Sequence, residues 1–551
     1  MNKGLSEKTR SQNLVAGALL LFSLMSCSKS EPAGPGGSGS DIKVGVQSPI
    51  IKTNMFDLKY ERLHNLGQKK RGGGIGSTDD ELVVITGDGQ IHVINLENDE
   101  ALKTTIAVPQ NNQGDALLAA DVAFEGASVA EARRVINGYL RYDDVLVLEN
   151  KAGRHLVISY SYFDNARQCF TFKISVLSIP ASQLLRETEA NTDDWSTVYT
   201  AGPCFPLKSR RIAFAGHQSG GRIDVLNAES GNIVLALGDF EFDGLLVDDY
   251  PQDKNADYGK VWKINIHAGR HNVISIGHRN PQGITVDADG KIWSVEHGPR
   301  GGDELNAPAE GLNFGWPEVT LGIRYSGDPW PGNQAQGRHE QFDRPVFSWV
   351  PSIAPSNLDQ VTGFHPFWDG DLLVFTLAST GIHRLRLHDN RVIFDEAMKF
   401  TQRIRYGMSH AATGSIYLWT DGGDIYRVRP TKQAFEMVRQ SEAIYARHLQ
   451  SENLEELVED SAIRFCLECH TGVANSPPVL AGIIGAEIAS QDYYGYSDAL
   501  SSRKGKWTEE SLAAFLRDPQ AFAPGTTMAG TGLKSDEEIS EVLRALRELS
   551  R

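Results

Sequence analysis

The sequence predicts an all-β six-bladed β-propeller that is followed by a small all-α domain. Between residues 46 and 432, short runs of alternating polar and apolar residues dominate, and helical periodicity is scarce. A small turn-and-strand unit also recurs within this region. After residue 456 the pattern changes to helix caps that are followed by apolar positions at helical spacing.

The composition limits the functions that the chain can have. Its 551 residues include 54 Lys and Arg against 70 Asp and Glu, so the formal net charge is −16. Such an acidic surface repels phosphate backbones, and the sequence shows no local basic patch, so we expect no nucleic-acid partner. The mean hydropathy of −0.30 excludes a protein with many membrane-spanning segments.

The first residues resemble a bacterial lipoprotein signal. A basic segment over 3–10 precedes an apolar segment over 14–25, which is followed by Ser26 and Cys27. We therefore expect a signal peptide at 1–26, acylation of Cys27 and a flexible tether at 27–45. The serine after Cys27 favours the outer membrane, so the protein would act on the periplasmic or cell-surface side, attached only by its lipid. An ordinary secretory signal with an unrelated cysteine is the alternative.

The recurring unit supports the propeller prediction. Its four copies begin at Gly89, Gly231, Gly290 and Gly414, and in each copy a strand is predicted from the isoleucine two positions later. Two of the copies begin with Asp-Gly, a strong hairpin turn. The copies are 142, 59 and 124 residues apart, close to two, one and two repeats of about 60–70 residues, so 46–432 holds about six blades. A chance recurrence of common turn residues is the alternative.

Four further cysteines divide into two pairs. Cys169 and Cys204 lie in strand-like or loop-like sequence, and in an oxidising compartment we expect them to form a structural disulfide. Cys466-Leu-Glu-Cys469-His470 is the C-x-x-C-H signature of covalent haem attachment. Two thiols at this spacing can reach the two haem vinyl groups, and the adjacent imidazole can bind the iron. No Cys or His follows His470, which disfavours a zinc site, and a C-x-x-C redox pair is the remaining alternative.

The residues at 456–551 resemble class I cytochrome c, and 433–455 is the predicted linker to them. Lysines aside, Met528 in Pro-Gly-Thr-Thr-Met is the only soft or nitrogenous candidate after the haem motif, so it is the candidate sixth ligand. A plain core methionine is the alternative. His/Met ligation raises the reduction potential, which suits an electron carrier. A final helix is predicted from the capping box of Ser535 and Glu538 onwards.

Polar clusters stand at strand ends of the predicted propeller, where its loops converge on one face. His217 and Gln218 precede a strand, and Asp239 follows the next one. A histidine that is held by a carboxylate is a suitable general base near neutral pH. Arg403 and Arg405 project two guanidiniums to the same side of a strand, which suits a polyanion.

Two more clusters suit a cofactor and a metal. Arg279, Asn280 and Gln282 offer a cation and two amides in one turn. Gly298-Pro299 and Asp303-Glu304 offer carbonyls and paired carboxylates, which hard cations such as calcium prefer.

Together these segments closely resemble the soluble, PQQ-dependent glucose/aldose sugar dehydrogenase family, which is a six-bladed propeller. The likeness is good over about 210–430 and poor over 46–200. The matching motifs, in chain order, are His217-Gln218-Ser219-Gly220, 277–283, 296–299, 303–306, 311–317, 351–356 and Arg403-x-Arg405. One departure is that no lysine stands at 378–381, where the family leads us to expect one against PQQ.

The resemblance implies a role for each matched residue. His217 would be the base for the anomeric hydroxyl of a sugar, Asp239 its orienting partner, and Arg279 the cation that polarises the quinone carbonyl. The further residues implied in PQQ binding are Gln218, Asn280, Gln282, Ser352, Arg403 and Arg405. The groups implied in binding calcium are the carbonyls of Gly298 and Pro299 at a PQQ-bridging ion, and Asp303, Glu304 and the carbonyl of Phe314 at a second, structural ion. PQQ carries three carboxylates, so its charge calls for a divalent ion and several guanidiniums.

The sequence therefore predicts a lipid-anchored, PQQ- and calcium-dependent aldose dehydrogenase that oxidises a sugar to its lactone and reduces its own haem c. The haem would then pass electrons to a cytochrome, a copper protein or a terminal oxidase. A non-catalytic propeller binding module with an appended electron-transfer cytochrome is the first alternative. A lipoprotein whose propeller only docks partners is the second.

Overall fold

The structure is a computed structural model. It describes residues 49–208, 216–245, 248–333, 337–435, 462–463, 466–467, 470, 477–491, 493, 496–526, 533 and 535–550. The predicted signal peptide and tether, Cys469, Met528 and most of the predicted linker lie outside these residues. Within the described part of the chain, no helix is both long and apolar enough to cross a membrane.

Six sheets of mainly antiparallel strands form the blades of a β-propeller, which confirms the predicted fold. In blades 1 to 3 the strands are, in order, Gly73–Ser77, Glu81–Thr86, Ile91–Asn95 and Ala101–Lys103; Tyr142–Asn150, Gly153–Asp164, Cys169–Ile179 and Ser196–Thr200; and Gly220–Asn227, Asn232–Leu237, Lys260–Asn265 and His271–Ile276. In blades 4 to 6 they are Pro281–Val286, Ile292–Glu296, Asp303–Asn306 and Phe347–Trp349; Pro355–Gln360, Leu372–Thr376, Gly381–His388 and Arg391–Lys399; and Ile404–His410, Ser415–Thr420, Asp424–Pro430 and Leu58–Asn65. The first strands of the six blades contact one another in a closed ring.

Blade 6 is built from both ends of the propeller region. Its fourth strand, Leu58–Asn65, comes from the N-terminal side and pairs antiparallel with Asp424–Pro430. A short strand, Ile50–Ile51, adds to its outer edge. Leu312–Asn313 adds to blade 3, and Phe205–Pro206 adds to blade 2. Thr105–Ile106 and Glu189–Ala190 form a separate parallel sheet of two strands. This closure between distant segments was not predicted from the sequence.

The four copies of the recurring unit do begin strands, but not in equivalent places. Gly231, Gly290 and Gly414 lead into the second strands of blades 3, 4 and 6. Gly89 leads into the third strand of blade 1 and has φ +86°, a left-handed conformation that glycine adopts without strain. The spacing of the copies therefore gave the right blade number although one copy is displaced by a strand.

A helical hairpin interrupts the β-region between blades 1 and 2. The sequence did not predict these helices, because helical periodicity is scarce in this region. It consists of α1 (Gln113–Ala123) and α2 (Ala127–Tyr139). Their buried positions are mostly alanine, so α1 in particular has no marked apolar stripe to reveal it.

One buried arginine ties the ring of blades together at its axis. Arg222, in the first strand of blade 3, is only 3% exposed. Its five N–H donors reach one backbone carbonyl in the first strand of each of the other five blades, at 2.8–3.2 Å. These carbonyls belong to Gly73, Asp143, Gln282, Ser356 and Arg405. A guanidinium has five donors, so this arrangement uses all of them.

The predicted disulfide is present. Cys169 and Cys204 are bonded, with their Cα atoms 5.8 Å apart. The bond ties the third strand of blade 2 to the segment that follows its fourth strand.

The described residues of the C-terminal region contain four helices: α3 (Asp498–Ser501), α4 (Glu509–Arg517), α5 (Pro519–Phe522) and α6 (Asp536–Leu549). The capping box predicted at Ser535 and Glu538 is formed and begins α6. Ile539, Val542 and Leu546 on α6 are buried in one apolar cluster with Trp507, Leu512 and Phe515. These helices agree with the small all-α domain that the sequence predicts.

Candidate functional site

The predicted site residues of the propeller converge on one face, which we call the upper face. In each blade the loop that enters the first strand and the loop that joins the second strand to the third open on this face, because antiparallel strands alternate in direction. The site residues that stand in loops entering first strands are His217, Gln218, Arg279, Asn280, Ser352 and Arg403. Those in loops between second and third strands are Asp239, Gly298 and Pro299.

Arg279 and Asp239 are joined through Gln218. The Gln218 amide donates to Asp239 Oδ1 at 2.9 Å and accepts from a terminal nitrogen of Arg279 at 3.1 Å. The indole Nε1 of Trp316 donates to the other Asp239 oxygen at 2.8 Å. Burial raises the pKa of the Asp239 carboxyl well above its usual range, and the charge of Arg279 opposes this rise. The three predicted residues therefore form one hydrogen-bonded cluster.

His217 lies beside this cluster and packs against the helical hairpin. Its ring packs against that of Tyr139, the last residue of α2, with the ring centroids 3.9 Å apart. The side chain of Asp239 accepts hydrogen bonds from Gln218, Trp316 and the backbone of Glu241. Its role as the orienting partner of His217 stays a prediction.

Arg279 also fixes the loop that was predicted to bind calcium. Its Nη1 donates to the carbonyls of His297 at 3.1 Å and Gly298 at 2.8 Å. A carbonyl oxygen has two lone pairs, so Gly298 keeps one for a cation while Arg279 occupies the other. Asn280 and Gln282 are buried in the same turn, where the Gln282 amide donates to Asn280 Oδ1 at 2.8 Å.

Asp303 has a structural task in this arrangement. Its carboxylate accepts from the Gly298 amide at 3.0 Å and from the Ser352 hydroxyl at 2.5 Å. It also accepts from the backbone amides of Ile353 at 2.9 Å and Ala354 at 2.8 Å. Three of these donors reach Oδ2 and only the Gly298 amide reaches Oδ1, so Oδ1 keeps a lone pair. Asp303 thus links the Gly298 loop to the loop that enters blade 5, and its role as a calcium ligand stays a prediction.

The surroundings of Glu304 suit a cation better. Burial and the neighbouring charge of Glu296 raise the pKa of Glu304 well above its usual range. Asn306, which donates to both carboxylates, has a buried side-chain oxygen without a hydrogen-bond partner among the described residues. Glu304 and Phe314 line the same small cavity. A buried carboxylate, a second carboxylate nearby and an unsatisfied oxygen make a donor set that a hard cation would stabilise.

Arg403 and Arg405 extend to the same side of their strand, as predicted, and share one carboxylate. The Nε of Arg403 donates to Asp421 Oδ2 at 2.9 Å, and the Nε of Arg405 donates to Oδ1 at 2.8 Å. Burial lowers the pKa of Arg405 to about 10, while Asp421 opposes this shift. Two cations against one carboxylate leave a net positive charge at this edge of the upper face.

Sequence reasoning missed Arg141 at the start of blade 2, which blade 1 separates from blade 6. It lies between α2 and the first strand of blade 2, in the part of the propeller where the family likeness is poor. Its guanidinium bonds to Asp143 and to Ser219, the residue that follows His217 and Gln218. The spacing of Arg141 and Asp143, two positions apart at the start of a strand, was the available signal, but nothing in the sequence ties it to His217.

The C-terminal region contains a cavity at the predicted haem motif. Cys466 and His470 line it, together with apolar residues such as Ile463, Leu512 and Val542. The Nδ1 of His470 lies 2.5 Å from the carbonyl of Pro478. With Nδ1–H donating there, the lone pair of the neutral imidazole is on Nε2, the nitrogen that an axial ligand uses. The residues present therefore fit a covalently attached haem, while Cys469 and Met528 lie outside the described residues.

The propeller contributes one wall of the haem cavity. The lining residues from blade 5 are Arg386, His388, Ile393 and Phe394. Arg391, also in blade 5, forms an ion pair with Glu538 of α6. These residues adjoin the turn between the third and fourth strands, which opens on the face opposite the upper face. The third strand spans eight residues, or about 23 Å at about 3.3 Å per residue, so the cavity and the propeller site lie at opposite ends of the blade.

Comparison with known proteins gives separate matches for the propeller and for the C-terminal region. Residues 181–427 match the family model described as glucose/sorbosone dehydrogenase. An uncharacterised Synechocystis protein is 33% identical over 249 residues, 41% of this chain and 57% of its own length. The aldose sugar dehydrogenase YliI of Escherichia coli is 34% identical over 172 residues, 29% of this chain and 44% of its own. The chain thus spans about half the length of these curated relatives.

The C-terminal region and the fold have their own matches. Cytochrome c2 of Blastochloris viridis is 32% identical over 95 residues, 16% of this chain and 75% of its own length. A crystal structure of glucose dehydrogenase covers 68% of this chain and 99% of its own with a TM-score of 0.54 and 23% identity. The apo aldose sugar dehydrogenase of Escherichia coli covers 68% and 100% with a TM-score of 0.52 and 20% identity. At these identities the two structures support the propeller fold alone.

Proposed function

Because the chain carries a glucose/sorbosone dehydrogenase domain at residues 181–427 and a C-terminal domain of the cytochrome c family, we propose that the two act together as a sugar-oxidising quinohaemoprotein. It would use PQQ and calcium to oxidise an aldose to its lactone and would pass the electrons to its own haem c. The observation that carries the proposal is the convergence of His217, Arg279 and the Arg403/Arg405 pair on the upper face of a closed propeller.

When bound, PQQ supplies a two-electron acceptor at its quinone carbonyls. His217 would accept the proton of the anomeric hydroxyl at a ring nitrogen, which favours loss of hydride from C1 of the sugar. Arg279, held through Gln218 and by the Gly298 carbonyl, would place its charge beside the accepting carbonyl. Arg403 and Arg405 would hold cofactor carboxylates, since the pair exceeds the charge of Asp421.

Calcium would serve two places on this face. The Gly298 and Pro299 carbonyls would hold an ion near the cofactor, because Gly298 has a lone pair left beside its bond to Arg279. Glu304 and the unsatisfied oxygen of Asn306 would hold a second ion, which would relieve the repulsion between Glu304 and Glu296. We expect the first ion to matter for the cofactor and the second for the stability of blade 4.

Electron transfer to the haem would require the cytochrome domain to move. The haem cavity rests against the lower end of blade 5, about 23 Å along the strand from the upper face. Tunnelling rates fall exponentially with distance, so this arrangement suits storage of electrons or delivery to an acceptor more than their uptake. Because the two domains belong to one chain, the haem would stay at high effective concentration near the propeller.

For the location of the protein, we propose that Cys27 is acylated and anchors the chain to the outer membrane. The mature chain would then lie outside the cytoplasm. The disulfide between Cys169 and Cys204 supports an oxidising compartment. The electron acceptor would be a cytochrome, a copper protein or a terminal oxidase that can approach the haem.

The test uses the full chain with haem attached, loaded with PQQ and calcium and mixed with a panel of aldoses. Haem reduction is followed at the α-band, and a soluble dye measures oxidation independently of the haem. We expect His217→Gln to abolish both signals and leave the oxidised haem spectrum intact. His271→Gln, on the exposed fourth strand of blade 3, is the matched control and should change neither. If no sugar, alcohol or aldehyde reduces the dye, the proposed enzyme is wrong and the propeller is a binding module.

A further inference from the structure

Arg141 occupies the upper face although no predicted site motif includes it. It stands directly before the first strand of blade 2, and its side chain is only 9% exposed. Its Nε donates to Asp143 Oδ1 at 2.8 Å, and one Nη2 hydrogen reaches the hydroxyl of Ser219 at 3.2 Å. Ser219 belongs to the same turn as His217 and Gln218, so the guanidinium lies beside the predicted catalytic segment.

These bonds leave much of the guanidinium unused. Among the described residues, no protein acceptor contacts Nη1 of Arg141, which carries two of the five donors. The buried, unpartnered side-chain atoms among the described residues do not include Nη1, so Nη1 is open to solvent although the side chain as a whole is nine-tenths buried. An acceptor from outside the protein can therefore reach these unused donors.

The charge of the upper face points to the same conclusion. Burial lowers the pKa of Arg405, and repulsion from Arg141 adds to this shift, so the two guanidiniums are close enough to interact. Arg141, Arg403 and Arg405 bring three positive charges against the two carboxylates of Asp143 and Asp421. An anion placed between blades 2 and 6 on the upper face would be attracted by both groups of charges.

We propose that Arg141 is a further cofactor-binding residue, whose Nη1 donates to a carboxylate of bound PQQ from blade 2, which blade 1 separates from Arg403 and Arg405 on blade 6. The inference rests on the proposed function, since it assumes that the upper face holds this tricarboxylate. Two guanidiniums on blade 6 can serve two carboxylates, and Arg141 on blade 2 supplies a partner for the third. Asp143 and Ser219 act as positioning residues that hold the guanidinium in place.

The experiment measures PQQ binding by isothermal titration of the full-length, haem-containing apoprotein, so it does not depend on turnover. Losing one charge-assisted pair should weaken binding about 10- to 100-fold in Arg141→Gln. Arg154→Gln is the matched control, since Arg154 also bonds one carboxylate and one neutral oxygen in blade 2 but lies at the opposite face. It should bind PQQ as the unaltered protein does. Equal affinity of Arg141→Gln and the unaltered protein would overturn the inference alone, whereas no binding by the unaltered protein would overturn the proposed function as well.

A second variant separates anion binding from a purely structural role of Arg141. Asp143→Asn keeps the shape of the side chain but removes the charge that competes for the guanidinium. If Arg141 serves a cofactor carboxylate, this variant should bind PQQ several-fold more tightly. If Arg141 only braces Ser219, the variant should bind PQQ no better, which would contradict the proposal. The PQQ affinity of Asp143→Asn tests the proposal even if Arg141→Gln does not fold. Melting temperatures measured without PQQ report the folding of each variant.

Discussion

Replacing Arg222 by lysine should destabilise the whole propeller rather than one blade. The guanidinium donates to carbonyls in five other blades, and a lysine ammonium has only three donors. At least two buried carbonyls would then lose their partner, at about 1–3 kcal/mol each. The expected cost of Arg222→Lys is therefore about 2–6 kcal/mol, a large part of the 5–15 kcal/mol that typically separates folded from unfolded states.

The assay is urea unfolding followed by tryptophan fluorescence, with calorimetry as a second measure. The midpoint should fall without a change in slope, because the same surface is exposed on unfolding. Arg133→Lys, which conserves charge in the exposed Arg133–Asp121 pair of the helical hairpin, is the control and should cost well under about 1 kcal/mol. Hydrogen exchange should accelerate together in the first strands of all six blades. A cost of Arg222→Lys equal to that of Arg133→Lys, or exchange that accelerates in blade 3 alone, would refute the reasoning.

Three further predictions address other parts of the fold. Replacing Cys169 and Cys204 by serine opens a loop of 35 residues and should cost about 4 kcal/mol, measured as a lower calorimetric melting temperature in non-reducing buffer. Burial raises the pKa of Asp144 to about 7, so between about pH 4 and 7 the folded state binds a proton that the unfolded chain has lost. The unfolding free energy should therefore fall as pH rises through this range, by at most about 1.4 kcal/mol per pH unit from this group, and Asp144→Asn should flatten the profile. Arg391→Glu sets a like charge against Glu538 and should speed sugar-driven haem reduction in stopped-flow measurements; a slower reduction would mean that the contact with blade 5 is the productive one.

The sequence predicted the parts of the site whose residues lie in short runs. Arg279, Asn280 and Gln282 share one turn, and His217 and Gln218 share another, so their types and spacing were visible before any fold was known. The haem motif is similarly contiguous, and Cys466 and His470 do line one cavity. Local chemistry of this kind depends on neighbours along the chain, which a sequence displays directly.

The sequence did not reveal the contacts that join distant segments. Arg222 sits in an ordinary strand pattern, and its partner carbonyls lie 60 to 183 residues away. Arg141 reaches Ser219 across 78 residues. The strand Leu58–Asn65 completes blade 6 only because the ring closes. Each of these depends on how six blades meet around an axis, and backbone carbonyls leave no mark in the residue pattern.

The net charge of the chain also fails to reveal the local charge of the upper face. A chain of net charge −16 repels anions at long range, yet its upper face gathers Arg141, Arg279, Arg403 and Arg405. Water and salt screen the exposed carboxylates within about 10 Å, whereas the buried guanidiniums of Arg141, Arg279 and Arg405 act at contact in a medium of lower polarity. An anionic cofactor would therefore gain its binding energy after it has entered, from a few short hydrogen bonds. This is why the number of unused donors on the upper face, and not the charge of the whole chain, determines which ligand the propeller can hold.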